Sequence, residues 1–166
     1  TGMQPRRSRS LRMGRRGHTR SIRRKLSRMF QNILVAYDGS PHSERALATA
    51  IEVAKCVNAS ITLLNAYDKV PAYLGEPNFQ ETLNRTVVAA RDKMLTVLEQ
   101  VRQQGLTASM NVLEGPPADA ILRVAEMEKH DLIVMGSRGL GLFQELLLGS
   151  VSERVTRHAK IPVLIV

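Results

Sequence analysis

Residue types suited to holding phosphate occur twice in this chain, as Gly136-Ser137-Arg138-Gly139 and, after a spacer of nine residues, as Gly149-Ser150-Val151-Ser152. Glycines let a backbone approach an anion closely, while amides and hydroxyls supply the donors. The first step leaves the apolar run Asp131-Leu132-Ile133-Val134-Met135, which reads as a buried strand, and the second opens a helix. This pattern predicts a nucleotide-binding α/β domain; a mere connecting loop is the alternative that the residues leave open. A Gly-x4-Gly-Lys-Ser/Thr loop is absent from the sequence, which excludes a P-loop NTPase by pattern. His42, His130 and His158 are scattered, with no second ligand at a metal spacing, and are expected on the surface. Cys56 is expected to pack on a helix face and not to act as a nucleophile.

The elements that must position the glycine steps follow from periodicity and punctuation. Asn32-Ile33-Leu34-Val35-Ala36-Tyr37 suits a central strand buried on both faces. It stops at Asp38-Gly39-Ser40-Pro41, where Ser40 is a good N-cap and Pro41 stands at the first helical position. Ala46, Leu47, Ala50, Ile51, Val53, Ala54 and Val57 are expected to carry that helix against a sheet, until Asn58-Ala59 breaks it. Ser60 to Ala66 reads as a second strand, completing a β-α-β unit with a right-handed crossover. Asp68 to about Phe79, with Pro71, Gly75 and Pro77, is expected to be a loop. A long helix then repeats Leu83, Val87, Ala90, Met94, Val97, Leu98 and Val101 at three- and four-residue steps, with Gly105 placed to end it. Leu106 to Leu113 is a weaker strand suited to a sheet edge. Gly115-Pro116-Pro117 turns into a helix with Ile121, Leu122, Val124 and Ala125 inward. Ser150 to about His158 is the last helix, where Ser150 and Glu153 read as a capping box. Ile161 to Val166 is the fifth strand. Strands alternating with helices predict an α/β fold with an open, doubly wound parallel sheet. Ligands of such sheets bind beyond the carboxyl ends of the strands, where the strand order reverses. Strands one and four have to be neighbours if Asp38 and Gly136 are to share one site, and the residues alone do not give that order.

The chain has 166 residues, enough for one domain with a single core and a modest tail. No apolar run approaches the roughly 18 residues of a membrane-spanning helix, so a soluble, cytoplasmic protein is expected, without a membrane partner. A lone cysteine fits a reducing compartment. The net charge of +9 is unevenly placed. Residues 1 to 30 hold 11 of the 24 basic residues and no acid, so the remainder sets 13 bases against all 15 acids, a net of −2. The high pI therefore belongs to the tail, and a nucleic-acid-binding domain is not indicated. The Arg- and Ser-rich segment 1–28 is expected to be disordered. It reads as a basic arm for nucleic acid or anionic lipid, as a targeting segment, or as residues upstream of a natural start at Met29.

Residues 29–166 resemble the universal stress protein family. The resemblance rests on Ile33-Leu34-Val35-Ala36-Tyr37-Asp38-Gly39-Ser40, on Asp131 to Gly136, on the Gly-x2-Gly-x9-Gly-Ser-x-Ser/Thr pattern at Gly136, Gly139, Gly149, Ser150 and Ser152, and on the terminal Pro162-Val163-Leu164-Ile165-Val166. It implies a Rossmann-like sheet of strand order 3-2-1-4-5 and a homodimer through the last strand, Ile161 to Val166. It also implies binding of ATP (or ADP or AMP), with Mg²⁺ accompanying the nucleotide, in the branch that keeps the glycine pattern. Carried over position by position, Ala36, Asp38 and Ala66 flank adenine and ribose, with Asp38 as ribose-hydroxyl acceptor. Met135, Gly136, Arg138 and Gly139 line ribose and phosphates, and Gly149, Ser150, Val151 and Ser152 close over the phosphates. Tyr37 stands where smaller residues or proline also occur in the family, which implies a different packing of adenine. Asn65-Ala66 replaces a common His-Val pair, which implies an adenine pocket that is slightly wider or more polar.

Three functions follow. The first is a nucleotide-dependent regulatory module of the stress response, acting on an unknown protein partner. The second is an enzyme, a weak ATPase or phosphotransferase using Arg138 and the hydroxyls of Ser150 and Ser152. The third is a dimeric interaction protein whose basic tail binds nucleic acid. Fast phosphoryl transfer wants a metal held by carboxylates and a group that orients the attacking water. Asp38 is the one carboxylate placed in the pocket, so slow hydrolysis at most is expected, and no catalytic residue is assigned. Arg138 either meets a γ-phosphate or points into solvent.

Overall fold

The computed structural model describes Lys25 and residues 29–67, 78–139 and 148–166, with the backbone alone for 78, 79, 82, 83 and 86. The basic segment 1–28 (Lys25 apart), most of the expected loop after the second strand and the side chain of Leu83 lie outside the described residues. Among the described residues from Asn32 onward, nine elements alternate: β1 (Asn32–Ala36), α1 (Pro41–Val57), β2 (Ser60–Tyr67), α2 (Asn78–Gln103), β3 (Ala108–Glu114), α3 (Pro117–Met127), β4 (Leu132–Met135), α4 (Ser150–His158) and β5 (Val163–Ile165). The strands form one parallel sheet in the order β3-β2-β1-β4-β5. The weaker third strand lies at an edge, as its alternation predicts. Helix α2 already begins at Asn78, so Phe79 belongs to the helix and not to the loop.

Central strands alternate their side chains between two cores. Ile33, Val35, Leu63, Leu132 and Val134 meet buried residues of α1 and α2, including Ala46, Leu47, Met94 and Val101. Leu34, Leu64, Ile133 and Met135 meet Ile121, Val124 and Ala125 of α3 and Val155 of α4. Both faces of β1 and β4 are thus apolar because helices cover both, which is why these strands read as continuous hydrophobic runs.

Helix α1 ends as its sequence dictates. Ser40 caps it through a bond from Ser43 N to Ser40 Oγ at 3.2 Å, Pro41 follows, and Asn58 stops it in the left-handed region at φ 61°. Two histidine and cysteine expectations need correction. His130 is buried, at 5% exposure, because it closes the turn between α3 and β4 and its ring lies 3.4 Å from Val124 O. Cys56 is exposed on α1, since the apolar stripe of that helix runs through Ala50, Ala54 and Val57.

The register that matters for the site is set at the far end of the sheet. The Asp131 carboxylate accepts from the backbone N–H of Gln31 at 2.6 Å and of Asn32 at 3.1 Å, and Asp131 N donates to Asn32 O at 3.0 Å. These bonds hold the starts of β1 and β4 side by side, with Leu34 opposite Ile133 and Val35 opposite Val134. Their carboxyl ends, where Asp38 and Gly136 follow, therefore emerge as neighbours.

Candidate functional site

The carboxylate half of the site is built by the turn into α1. Asp38 Oδ1 accepts from Ser40 N at 2.9 Å, an Asx turn that fixes the carboxylate relative to the helix start. Gly39 has φ +79°, and its N–H donates to Ser43 Oγ at 3.0 Å, while Ser43 Oγ donates to Ser40 O at 2.9 Å. Asp38 Oδ2 faces the other half of the site: a Cβ added to Gly139 would stand 2.6 Å from it. A side chain at position 139 and the Asp38 carboxylate cannot both occupy this space.

The glycine half is tied together around one peptide. Ser137 O accepts from Gly149 N at 2.8 Å and from Ser152 Oγ at 2.8 Å, so the two glycine steps are bonded directly to each other. Ser152 is buried, and its Oγ also stands 2.9 Å from Gly149 O. Gly149 is the N-cap of α4 and offers no side-chain cap. The expected capping box of Ser150 and Glu153 does not form. Ser150 already lies within the helix and is exposed, and Glu153 turns instead to Arg157 at 2.7 Å. The first turn of α4 lines the cleft at Ser150, Val151 and Ser152 and has no side-chain cap, an arrangement suited to an anion.

All eleven residues expected at the site line one cleft of about 620 Å³: Ala36, Asp38, Ala66, Met135, Gly136, Arg138, Gly139, Gly149, Ser150, Val151 and Ser152. Sequence reasoning missed Ser43, Leu64, Pro117 and Ile121 as lining residues, while Tyr37, expected to alter the packing of adenine, does line the cleft. Pro117 and Ile121 come from the first two turns of α3, which packs beside α4; Arg154 reaches Asp119 across that contact at 2.8 Å. Their apolar character was visible in the sequence, but the pairing of α3 with α4 was not. Leu64 lies beside Ala36 in the β1–β2 register and could have been found from it.

The family departures resolve into two different outcomes. Ala66 lines the cleft, whereas Asn65 turns away from it and donates from Nδ2 to Tyr37 O at 2.8 Å, so it does not make the pocket polar. Tyr37 is buried, donates its hydroxyl to Glu44, and lies under Lys93, whose Nζ is 5.9 Å from the ring centroid. Burial pushes the Tyr37 phenol above the usual tyrosine range, and the hydrogen bond to Glu44 with the charges of Glu44 and Asp38 pushes the same way. The phenol therefore stays protonated and serves as a donor across the neutral range.

Comparison with known proteins agrees with this architecture. The model of the universal stress protein family matches residues 29–166. A universal stress protein of Thermus aquaticus is 45% identical over 141 residues, covering 83% of this chain and 99% of that one. The structure of MJ0577, a universal stress protein of Methanocaldococcus jannaschii, superposes with a TM-score of 0.76 at 30% identity, covering 83% of this chain and 96% of the other. A universal stress protein solved in complex with cAMP superposes with a TM-score of 0.59 at 27% identity, over 83% and 96% of the two chains. With the five-stranded 3-2-1-4-5 sheet and a match running from Met29 to Val166, this chain belongs to the universal stress protein family.

Proposed function

We propose that residues 29–166 form a nucleotide-holding regulatory module that binds ATP, or ADP or AMP, in the cleft beyond β1 and β4. The observation that carries this reading is the juxtaposition of the Asp38 carboxylate with Gly139, within a cleft that also contains Gly149 and the first turn of α4. Ala36, Leu64, Ala66, Ile121 and Met135 form an apolar wall that suits a base. Asp38 accepts from ribose hydroxyls. The phosphates sit between the Gly136–Gly139 turn and the amides of α4, where the helix dipole favours negative charge. A universal stress protein at 27% identity was solved with cAMP, another adenine nucleotide, which supports the class of ligand.

Occupancy, and not turnover, is the output of this site. Asp38 is the carboxylate among the described lining residues, and its oxygens are directed to Ser40 N and towards Gly139. Mg²⁺ would arrive with the nucleotide and neutralise phosphate charge. Calorimetry of the purified protein with ATP tests the reading directly, and absence of ATP binding at millimolar nucleotide overturns it. Hydrolysis of bound ATP at many turnovers per minute would favour the enzyme reading instead.

A Gly149→Val variant tests the phosphate position. A Cβ at Gly149 would stand 3.4 Å from Arg138 Cα and 3.5 Å from Ser137 O, an ordinary contact that alanine satisfies. The branched γ-carbons of valine have to push the two glycine steps apart. Overpacking of this kind costs about 1–3 kcal/mol, and ATP affinity is expected to fall about ten- to hundredfold in Gly149→Val and to stay near wild type in Gly149→Ala. Equal affinities in the two variants would remove the phosphates from this position.

The module is further proposed to pair with a second copy through β5. Pro162 O accepts from Ile133 N at 3.0 Å, Val166 N donates to Met135 O at 3.0 Å, and Val166 O accepts from Ser137 N at 2.8 Å. In a parallel ladder these alternate residues face β4, so the backbone groups of Val163 and Ile165 point to the outer edge. An apolar edge with unpaired backbone groups is a template for another strand. At the opposite edge, Arg102 of α2 covers Ala108 O with bonds of 3.3 and 3.0 Å. Ile165→Pro removes one outward N–H without touching the β4 ladder. Light scattering is expected to shift from dimer to monomer while the circular dichroism is retained; an unchanged dimer would place the interface elsewhere.

A further inference from the structure

We infer that His42, a residue outside the cleft, positions the phosphate-holding turn through Ser137 and so sets the preference of the site for phosphorylated ligands. This inference rests on the nucleotide reading above. Neither His42 nor Ser137 lines the cleft. Yet the Ser137 peptide is where the cradle is assembled, because its carbonyl accepts from both Gly149 N and Ser152 Oγ. Whatever fixes Ser137 therefore fixes the spacing between the Gly136–Gly139 turn and the first turn of α4.

His42 fixes it by two contacts of different kinds. Its backbone packs against Gly136 so closely that a Cβ there would stand 2.7 Å from His42 Cβ and 2.8 Å from the His42 carbonyl carbon. Its ring Nδ1 lies 3.0 Å from Ser137 Oγ, a bond that spans 95 residues and joins α1 to the loop after β4. The same Nδ1 is 2.7 Å from an Arg45 guanidinium nitrogen. Guanidinium only donates, so Nδ1 is an acceptor, and its single lone pair is shared between the Arg45 N–H and the Ser137 Oγ–H. The hydroxyl is thereby held to α1, while the peptide that follows it holds α4. The backbone N–H of Ser137 is occupied as well, by Val166 O at 2.8 Å. With its N–H, its hydroxyl and its carbonyl all engaged, Ser137 is held from three directions, and only the His42 bond can be removed by a side-chain change outside the cleft. Asp38, Ala36 and Ala66, on the ribose and base side, make no use of it. Its loss should weaken ligands that carry phosphate and spare those that do not.

Calorimetry with ATP and with adenosine separates this role from a merely structural one. His42→Ala is expected to lower ATP affinity about five- to tenfold, the worth of one neutral hydrogen bond, with adenosine affinity unchanged. Ser137→Ala should match it, and the double variant should lose no more than either single one, since both remove the same bond. His42→Asn, whose amide oxygen can take the place of Nδ1, should restore ATP affinity to within about twofold of wild type. The inference is overturned if His42→Ala binds ATP as wild type does, if ATP and adenosine weaken together, if the losses in the double variant add, or if asparagine does not rescue. No ATP binding by the wild-type protein is a different failure: it overturns the nucleotide reading and takes this inference with it.

Discussion

Replacing Asp38 by alanine is expected to lower ATP affinity by about ten- to hundredfold while the fold persists. The magnitude follows from the loss of hydrogen bonds from ribose hydroxyls to a charged acceptor, roughly 1.5–3 kcal/mol. The side chain has a second duty, because Oδ1 accepts from Ser40 N at 2.9 Å in the turn that starts α1. Asp38→Asn separates the two: the amide oxygen keeps the turn, while the charge and one acceptor are lost. Its affinity should fall between those of wild type and Asp38→Ala, with an unchanged melting temperature. The sharper readout is a ligand without the hydroxyls. Wild-type protein should prefer ATP over 2′,3′-dideoxy-ATP, and Asp38→Ala should bind the two alike. Gly139→Val approaches the same carboxylate from the other side, since its Cβ would begin 2.6 Å from Asp38 Oδ2, and should erase the same preference. A preference for ATP that survives in Asp38→Ala would show that the ribose lies elsewhere.

Gly136→Ala should act on the fold and the site together. Its Cβ would meet His42 Cβ at 2.7 Å, the His42 carbonyl carbon at 2.8 Å and Arg138 O at 3.0 Å, and two of these three atoms are backbone. No rotamer change relieves them, so the first turn of α1 has to move away from the end of β4. Helix α1 carries Ala46, Leu47, Ala50 and Ala54 into the core over β1 and β4, and that packing transmits the displacement. Overpacking at such a contact costs about 1–3 kcal/mol, which corresponds to a fall of roughly 3–12 °C in Tm. ATP binding should be lost in the same variant, because Asp38, Ser40 and Ser43 travel with the helix. Thermal melting and calorimetry together check this. A variant with wild-type Tm would mean that α1 does not rest on Gly136 as closely as the structure shows.

The two variants differ in what they disturb because the two glycines meet different atoms. Gly139 meets the end of one side chain, so the change stays local. Gly136 meets the backbone of a helix, and the change spreads. Glycine composition alone does not distinguish them, and the sequence pattern treats them as equivalent members of one motif.

The elements of this protein were legible in its sequence because their signals are local. Apolar runs marked β1, β2, β4 and β5, a three- and four-residue repeat marked α2, and Ser40, Pro41, Asn58 and Gly105 stand where the backbone of a helix needs a cap, a preset φ or a left-handed turn. Each of these is decided within a few residues. Boundaries were less sharp, as at the start of α2 and of β3, because the ends of elements are set by neighbours as much as by propensity. The eleven candidate site residues were also named from motif and resemblance, and the fold brings them to one cleft.

Tertiary structure decided how separate stretches meet. The hydrophobic pattern cannot order the strands, since every central strand is apolar on both faces and any would fit beside any other. The β1–β4 pairing, secured by Asp131 at one end, is what sets Asp38 against Gly139 at the other. The same pairing carries His42 to Ser137 and turns a histidine that looked isolated into a partner of the Gly136–Gly139 turn. Ser150 shows the converse. Its spacing to Glu153 satisfies the local rule for a cap, but Gly149, bonded to Ser137 O, takes the N-cap position and leaves Ser150 as the first residue of α4. The glycine pattern marked where phosphate could be held; the contacts made by Ser137 decided which residues hold the cradle in place.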